Sequence, residues 1–157
     1  NGFGVGFGAT MIGLADMSFM AQRARLRCPF TSLGVVGEAA STYLFPRMMG
    51  HQAANWMLYS SAWFDADECK ASGLVLDVFP DDSLMTEVMT RAQTMAANSP
   101  AALIQSKELS MGPIREKIRA TMEAENAVYD ELHGGPENME AINAFLEKRE
   151  PDFSKLR

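Results

Sequence analysis

The chain has 157 residues, 47% of them hydrophobic and 22% charged, enough for one domain with its own core. Its net charge of -6 argues against nucleic acid or an anionic membrane surface as partner, and no apolar run reaches the roughly 18 residues of a membrane span. The lone cysteines Cys28 and Cys69 and the lone histidines His51 and His133 make neither a disulfide framework nor a metal pattern, so no metal is expected and a reducing compartment fits.

NGFGVGFGAT, the opening segment, carries Gly2, Gly4, Gly6 and Gly8, which lets backbone turn sharply or approach a ligand closely. It begins without Met, inside a motif, so the chain is read as the C-terminal part of a longer protein. A short helix through Met11, Ile12 and Leu14 should follow. DMSFMA and RLRCP read as two short strands, the second with Leu26 and Cys28 alternating with Arg25 and Arg27 until Pro29 ends it. Glu38 to Met49 is predicted as a helix interrupted at Pro46, and His51 to Ser60 as another. DADE, from Asp65 to Glu68, has the form of a capping box, and Gly73 is a plausible stop. LVLDVF, from Leu74 to Phe79, is predicted as a strand.

Beyond Pro80 the pattern is helical. One helix spans about Ser83 to Ala97, with Leu84, Val88 and Ala92 on one face. Ser99-Pro100 opens a second, and Ile114, Ile118 and Met122 mark a third that continues toward Leu132. Gly135-Pro136 opens the last, which carries Met139, Ile142 and Leu146 on its apolar face. Most of the methionines read as gap-filling core. The fold class is therefore α/β, with a core over residues 1–97 and a helical tail over 98–157 whose surplus apolar faces should pack against another subunit.

GVGFGA formally fits a dinucleotide-binding fingerprint, yet about twenty residues on, where an acid should hold the ribose, arginines stand instead. There is no P-loop lysine and no G-x-S-x-G elbow. A better use of such a loop is to aim backbone N–H groups at an oxyanion. Glu38, in LGVVGEAAST, is a lone acid in an apolar and small-residue run. Two readings stand side by side: a first-turn acid of a helix capped by Gly37, or a base kept in an apolar pocket. Asp16 reads as a structural turn acid.

Four segments together, NGFGVGFGATMIGLADMSFMA, CPFTSLGVVGEAASTYLFPRMMG, FDADECKASGLVLDVFP and FLEKREPDF, resemble the crotonase family of enoyl-CoA hydratases and isomerases from Asn1 to about Phe153. The resemblance implies a spiral of strand–strand–helix turns followed by a helical C-terminal trimerisation region. It implies an acyl-CoA thioester as substrate, so that CoA arrives with the substrate and no cofactor is needed, and a homotrimer or dimer of trimers. It places one oxyanion-hole N–H on Phe7, beside Gly8, expects the second from a segment upstream of Asn1, and assigns Gly6, Phe30 and Leu33 to substrate binding. Lys148 and Phe153 match tail residues that touch the CoA nucleotide, with an exposed charged helix end as the plainer reading.

Hydratases of this family carry two glutamates where this chain has Thr10 and Phe30. Glu38 instead matches the single glutamate of the Δ3,Δ2-enoyl-CoA isomerases, with Gly37 where that branch has Pro. The expected activity is isomerisation of 3-enoyl-CoA to 2-enoyl-CoA in fatty acid β-oxidation, with Glu38 as base. A hydratase is the alternative among enzymes, and a non-catalytic crotonase-like interaction module, as in chromodomain corepressors, the alternative outside them. SKL at Ser154 to Leu156 resembles a peroxisomal address, but Arg157 follows it, so cytoplasm is expected, with peroxisome or mitochondrial matrix as alternatives.

Overall fold

A computed structural model describes residues 1–156, so Arg157, on which the reading of the C-terminal signal turns, lies outside the described residues. The glycine run does more than loop. Phe3–Val5 forms strand β1, and Phe7–Thr10 forms the single turn α1, which continues as a 3-10 turn over Met11–Leu14. Strands β2 (Phe19–Ala21) and β3 (Arg25–Arg27) are the two expected from DMSFMA and RLRCP, but they belong to different sheets. β3 lies at the centre of one sheet, parallel to β1 with Gly4 opposite Leu26, and antiparallel to β4 (Trp63–Asp65) with Leu26 opposite Phe64. β2 pairs in parallel with β5 (Asp77–Phe79).

Between β3 and β4, a 3-10 turn over Thr31–Leu33 leads to helix α2 (Ser41–Met49) and then α3 (His51–Ser60). The expected start of α2 at Glu38 is corrected here. Glu38 stands outside the helix, because Ala39 and Ala40 adopt left-handed φ of 58° and 56° and delay the first turn to Ser41. Pro46 is tolerated inside α2. α4 (Ala66–Ala71) opens on the capping box: Asp65 accepts from the Glu68 N–H at 2.9 Å, and Glu68 accepts from the Asp65 N–H at 2.9 Å. The strand expected from Leu74 starts only at Asp77, since the N–H groups of Leu74 and Val75 both bond the Cys69 carbonyl and wrap the chain around the end of α4.

α5 (Leu84–Ala96) is close to its expected span. The second and third tail helices are one continuous helix, α6, of 33 residues from Pro100 to Leu132, capped by Ser99. Arg115 reaches back to Glu108 with two contacts of 2.8 Å and ties the helix across Gly112–Pro113. α7 (Pro136–Glu147) follows, and a last 3-10 turn covers Phe153–Leu156. The core, which includes Met20, Cys28, Phe45, Met57, Phe64, Cys69 and Leu74, is built almost wholly from the chain before α6. Among the described residues no helix is long and apolar enough to cross a membrane.

Candidate active site

The glycine loop is held at one end by the sheet: Gly6 N–H bonds the Arg27 carbonyl just beyond β1 at 3.0 Å. Gly6 has φ 57° and ψ -122°, a conformation that admits glycine and few other residues, and it turns the strand into α1. Its carbonyl is then taken by the N–H groups of Ala9 at 2.9 Å and Thr10 at 3.0 Å. Phe7 and Gly8 are the first two residues of the helix, where N–H groups have no carbonyl one turn earlier, and neither N–H has a partner among the described residues. Two donors are thus left without partners on an exposed edge.

Glu38 faces this loop. The position that a Cβ would take on Gly6 lies 3.7 Å from Glu38 Oε1. The carboxylate is half-buried and makes no hydrogen bond or ion pair with the described residues. Burial raises its pKa above the usual carboxylate range, and the charge of Glu125 raises it further. A helix N-terminus would act in the opposite sense, but α2 spends its free donors elsewhere. Ser41 N–H bonds the Glu38 carbonyl at 3.0 Å, and Thr42 N–H bonds Glu125 Oε1 at 3.0 Å.

Glu125 is the member of this neighbourhood that sequence reasoning missed. It is buried on α6, its Oε2 accepts from Ala40 N–H at 2.6 Å, and its Oε1 also accepts from the Thr42 hydroxyl at 2.7 Å. Two consecutive alanines in the left-handed region cost about 1–2 kcal/mol each, so the turn after Glu38 needs such support. The one available sign was an acid within the Ile114, Ile118, Met122 stripe, at the next turn of the same face.

The other expected residues divide. Thr10 is fully buried, its hydroxyl turned back toward the Gly6 carbonyl at 3.4 Å, and Phe30 is a core residue, so neither hydratase position offers a carboxylate. Phe30 and Leu33 shape the turn that leads to Glu38: the Phe30 carbonyl accepts from Leu33 and Val35 N–H, and the Leu33 carbonyl accepts from Asn138 Nδ2 at 2.7 Å. At Gly37 a Cβ would stand 2.8 Å from Ser41 Oγ, so glycine lets this turn close where a proline would need Ser41 to move. Lys148 ends α7 with φ 56° and Phe153 opens the last turn, and no hydrogen bond ties either to Glu38 or the glycine loop among the described residues. Asp16 pairs with Lys107 at 2.5 Å, as a structural acid should. Burial pushes the Cys28 and Cys69 thiols up to about 12, with the charge of Glu38 adding to the shift at Cys28, so neither is a ready thiolate nucleophile.

This architecture is that of a known family. The chain matches the enoyl-CoA hydratase/isomerase family over residues 1–156 and belongs to it. A solved enoyl-CoA hydratase/isomerase from Pseudoalteromonas atlantica T6c superposes with a TM-score of 0.92 at 38% identity, covering 97% of this chain and 61% of that one. Enoyl-CoA delta isomerase 2 of Rattus norvegicus is 38% identical over 149 residues, which is 95% of this chain and 38% of the rat protein. Chromodomain Y-like protein of Mus musculus is 30% identical over 153 residues, 98% of this chain and 26% of that protein. The chain therefore spans well under half the length of these two relatives.

Proposed function

We propose that this chain carries the catalytic base of a Δ3,Δ2-enoyl-CoA isomerase. The observation that carries the reading is the unpaired, half-buried carboxylate of Glu38 set beside the unpaired N–H groups of Phe7 and Gly8. Binding of a 3-enoyl-CoA would bring its thioester oxygen to these donors. The proton at C2 is acidified by both the carbonyl and the double bond. Glu38 removes it, negative charge passes to the thioester oxygen, and preorganised N–H donors there lower the barrier by several kcal/mol. The same carboxylic acid then returns the proton at C4 of the dienolate, which leaves the conjugated 2-enoyl thioester. One group of raised pKa suffices for both transfers.

Adding water would need a second acid to position it, and the two places where hydratases carry theirs hold Thr10 and Phe30. Gly6, Phe30 and Leu33 would bound the acyl site. Lys148 and Phe153 would meet the CoA nucleotide. Lys148 is free of ion pairs among the described residues, whereas its neighbour Arg149 is committed to Glu140 and Glu147. The exposed apolar side chains of the tail, Leu109 and Phe145 among them, suit a homotrimer or dimer of trimers.

The test offers the full chain 3-enoyl-CoA and 2-enoyl-CoA separately and identifies the products. Conjugation of the 3-enoyl substrate should fall at least about a thousandfold in Glu38→Gln, as is usual when an essential base is lost. The kcat/KM of the unsubstituted chain should rise with pH along a limb displaced above the ordinary glutamate range, and the substituted chain should lack that limb. Hydration of the 2-enoyl substrate without conjugation would make this a hydratase, and turnover of neither would leave the interaction module.

A further inference from the structure

The proposed reaction leaves Glu125 without a role, and its setting asks for one. Among the described residues it is the one buried residue of α6, and no lysine or arginine pairs with it. An unpaired acid is expensive in a protein interior unless donors replace its water. The donors here are Ala40 N–H, Thr42 N–H and the Thr42 hydroxyl, from the cap and first turn of α2. A helix start is ordinarily capped by its own Ser, Thr or Asp. This one has Ala40 at the cap, and the carboxylate reaches it from 85 residues further along the chain.

The chain between cap and base is short. Ala39 and Ala40 hold left-handed φ of 58° and 56°, and Glu38 comes immediately before them. If either alanine relaxed to an ordinary negative φ, the direction of the Glu38 side chain would swing away from Gly6. Glu125 Oε2 grips the N–H of Ala40 inside that turn. We propose that Glu125 is a positioning residue for Glu38, holding the left-handed Ala39–Ala40 turn so that the Glu38 carboxylate stays against the glycine loop. The proposal rests on Glu38 being the base. It makes the long tail helix a working part of the site.

The experiment measures kcat and KM for a 3-enoyl-CoA in the full chain, with near-UV circular dichroism as a check on packing. The variants are Glu38→Gln, Glu125→Gln, Thr42→Val and the double variant Glu38→Gln/Glu125→Gln. Glutamine at 125 keeps one acceptor but turns an NH2 group toward a donor. It should lower kcat by about a hundredfold with KM changed less than about threefold, as a misplaced reacting group does. Thr42→Val removes a single contact and should lower kcat several-fold. The double variant should be no slower than Glu38→Gln alone, because Glu125 acts through Glu38.

Losses that multiply in the double variant would overturn the proposal, since a general packing role acts independently of the base. So would unchanged kcat in Glu125→Gln beside an inactive Glu38→Gln. If Glu125→Gln does not fold, Thr42→Val decides, and wild-type kcat there would overturn the proposal. An active Glu38→Gln would remove the base reading itself, and the positioning role with it.

Discussion

The chain before α6 and the α6 helix bury opposite kinds of residue. The first packs Phe45, Met57, Leu74 and both cysteines beyond reach of solvent. The second is 33 residues long, and the residue it buries is a glutamate. Its apolar residues stay partly or wholly uncovered, with Leu109 at 78% exposed and Ile104 at 60%. A cleft of about 660 Å³, lined by Leu44, Met48, Leu103, Met111 and Ile114, lies between α2 and the first half of α6. The difference teaches that the two parts have different duties. The first holds itself together by apolar burial. α6 meets it through the polar contacts of Glu125 and, at its end, through Leu132 packed on the core, and leaves most of its apolar surface exposed.

This division is open to attack by substitution. Phe45→Ala removes a fully buried ring packed near Gly13 and should cost about 3–5 kcal/mol in urea unfolding; a cost below about 1 kcal/mol would deny the first half its role as the core. Ser41→Ala sharpens the contrast from the other side. Among the described residues Ser41 Oγ is buried without a partner, and removing it should leave stability unchanged or raise it by about 1 kcal/mol, whereas a loss would reveal a partner for that hydroxyl. Leu109→Ala on the exposed face of α6 should change the stability of the isolated chain by less than about 0.5 kcal/mol, and a larger cost at high protein concentration alone would mark the face as covered in an oligomer.

The smallest effect is expected at the end of the tail. Hydrogen bonds from Arg149 and from the Asp152 N–H hold the Glu140 carboxyl down at about 2. A depressed acid stabilises the fold above its unfolded value, and that contribution is lost as pH falls through the window from 4.5 to about 2. The protection factor of the Asp152 amide, taken against the intrinsic exchange rate at each pH, should therefore fall on acidification, and Glu140→Gln should remove that pH dependence.

Legibility in the sequence followed the range of the forces. The capping box at Asp65 and Glu68, the Ser99-Pro100 start and the glycine loop are local devices, and each stands where its residues place it. β1 and β4 were not legible, because three residues of strand are defined by a partner, and both borrow theirs from β3. The start of α2 misled for a related reason. Alanine is the best helix former, yet Ala39 and Ala40 stand outside the helix, and Ala40 N–H bonds Glu125, a contact that no local pattern announces. The site divides in the same way. The sequence singles out Glu38 and the loop of Gly6, Phe7 and Gly8, which the structure brings near one another, but it does not single out Glu125, which bonds the turn after Glu38.

The turn that carries Glu38 is fastened at both ends to chain made much later. Asn138, 105 residues after Leu33, donates to its carbonyl, and Gly34 lets α7 approach so closely that a Cβ there would lie 2.7 Å from the Asn138 nitrogen. Glu125 fastens the other end across 85 residues. Closing loops of this length is a late and slow event. The α/β core can therefore gather first, with Glu38 still loose, and that carboxylate settles against the glycine loop only when the last helices dock.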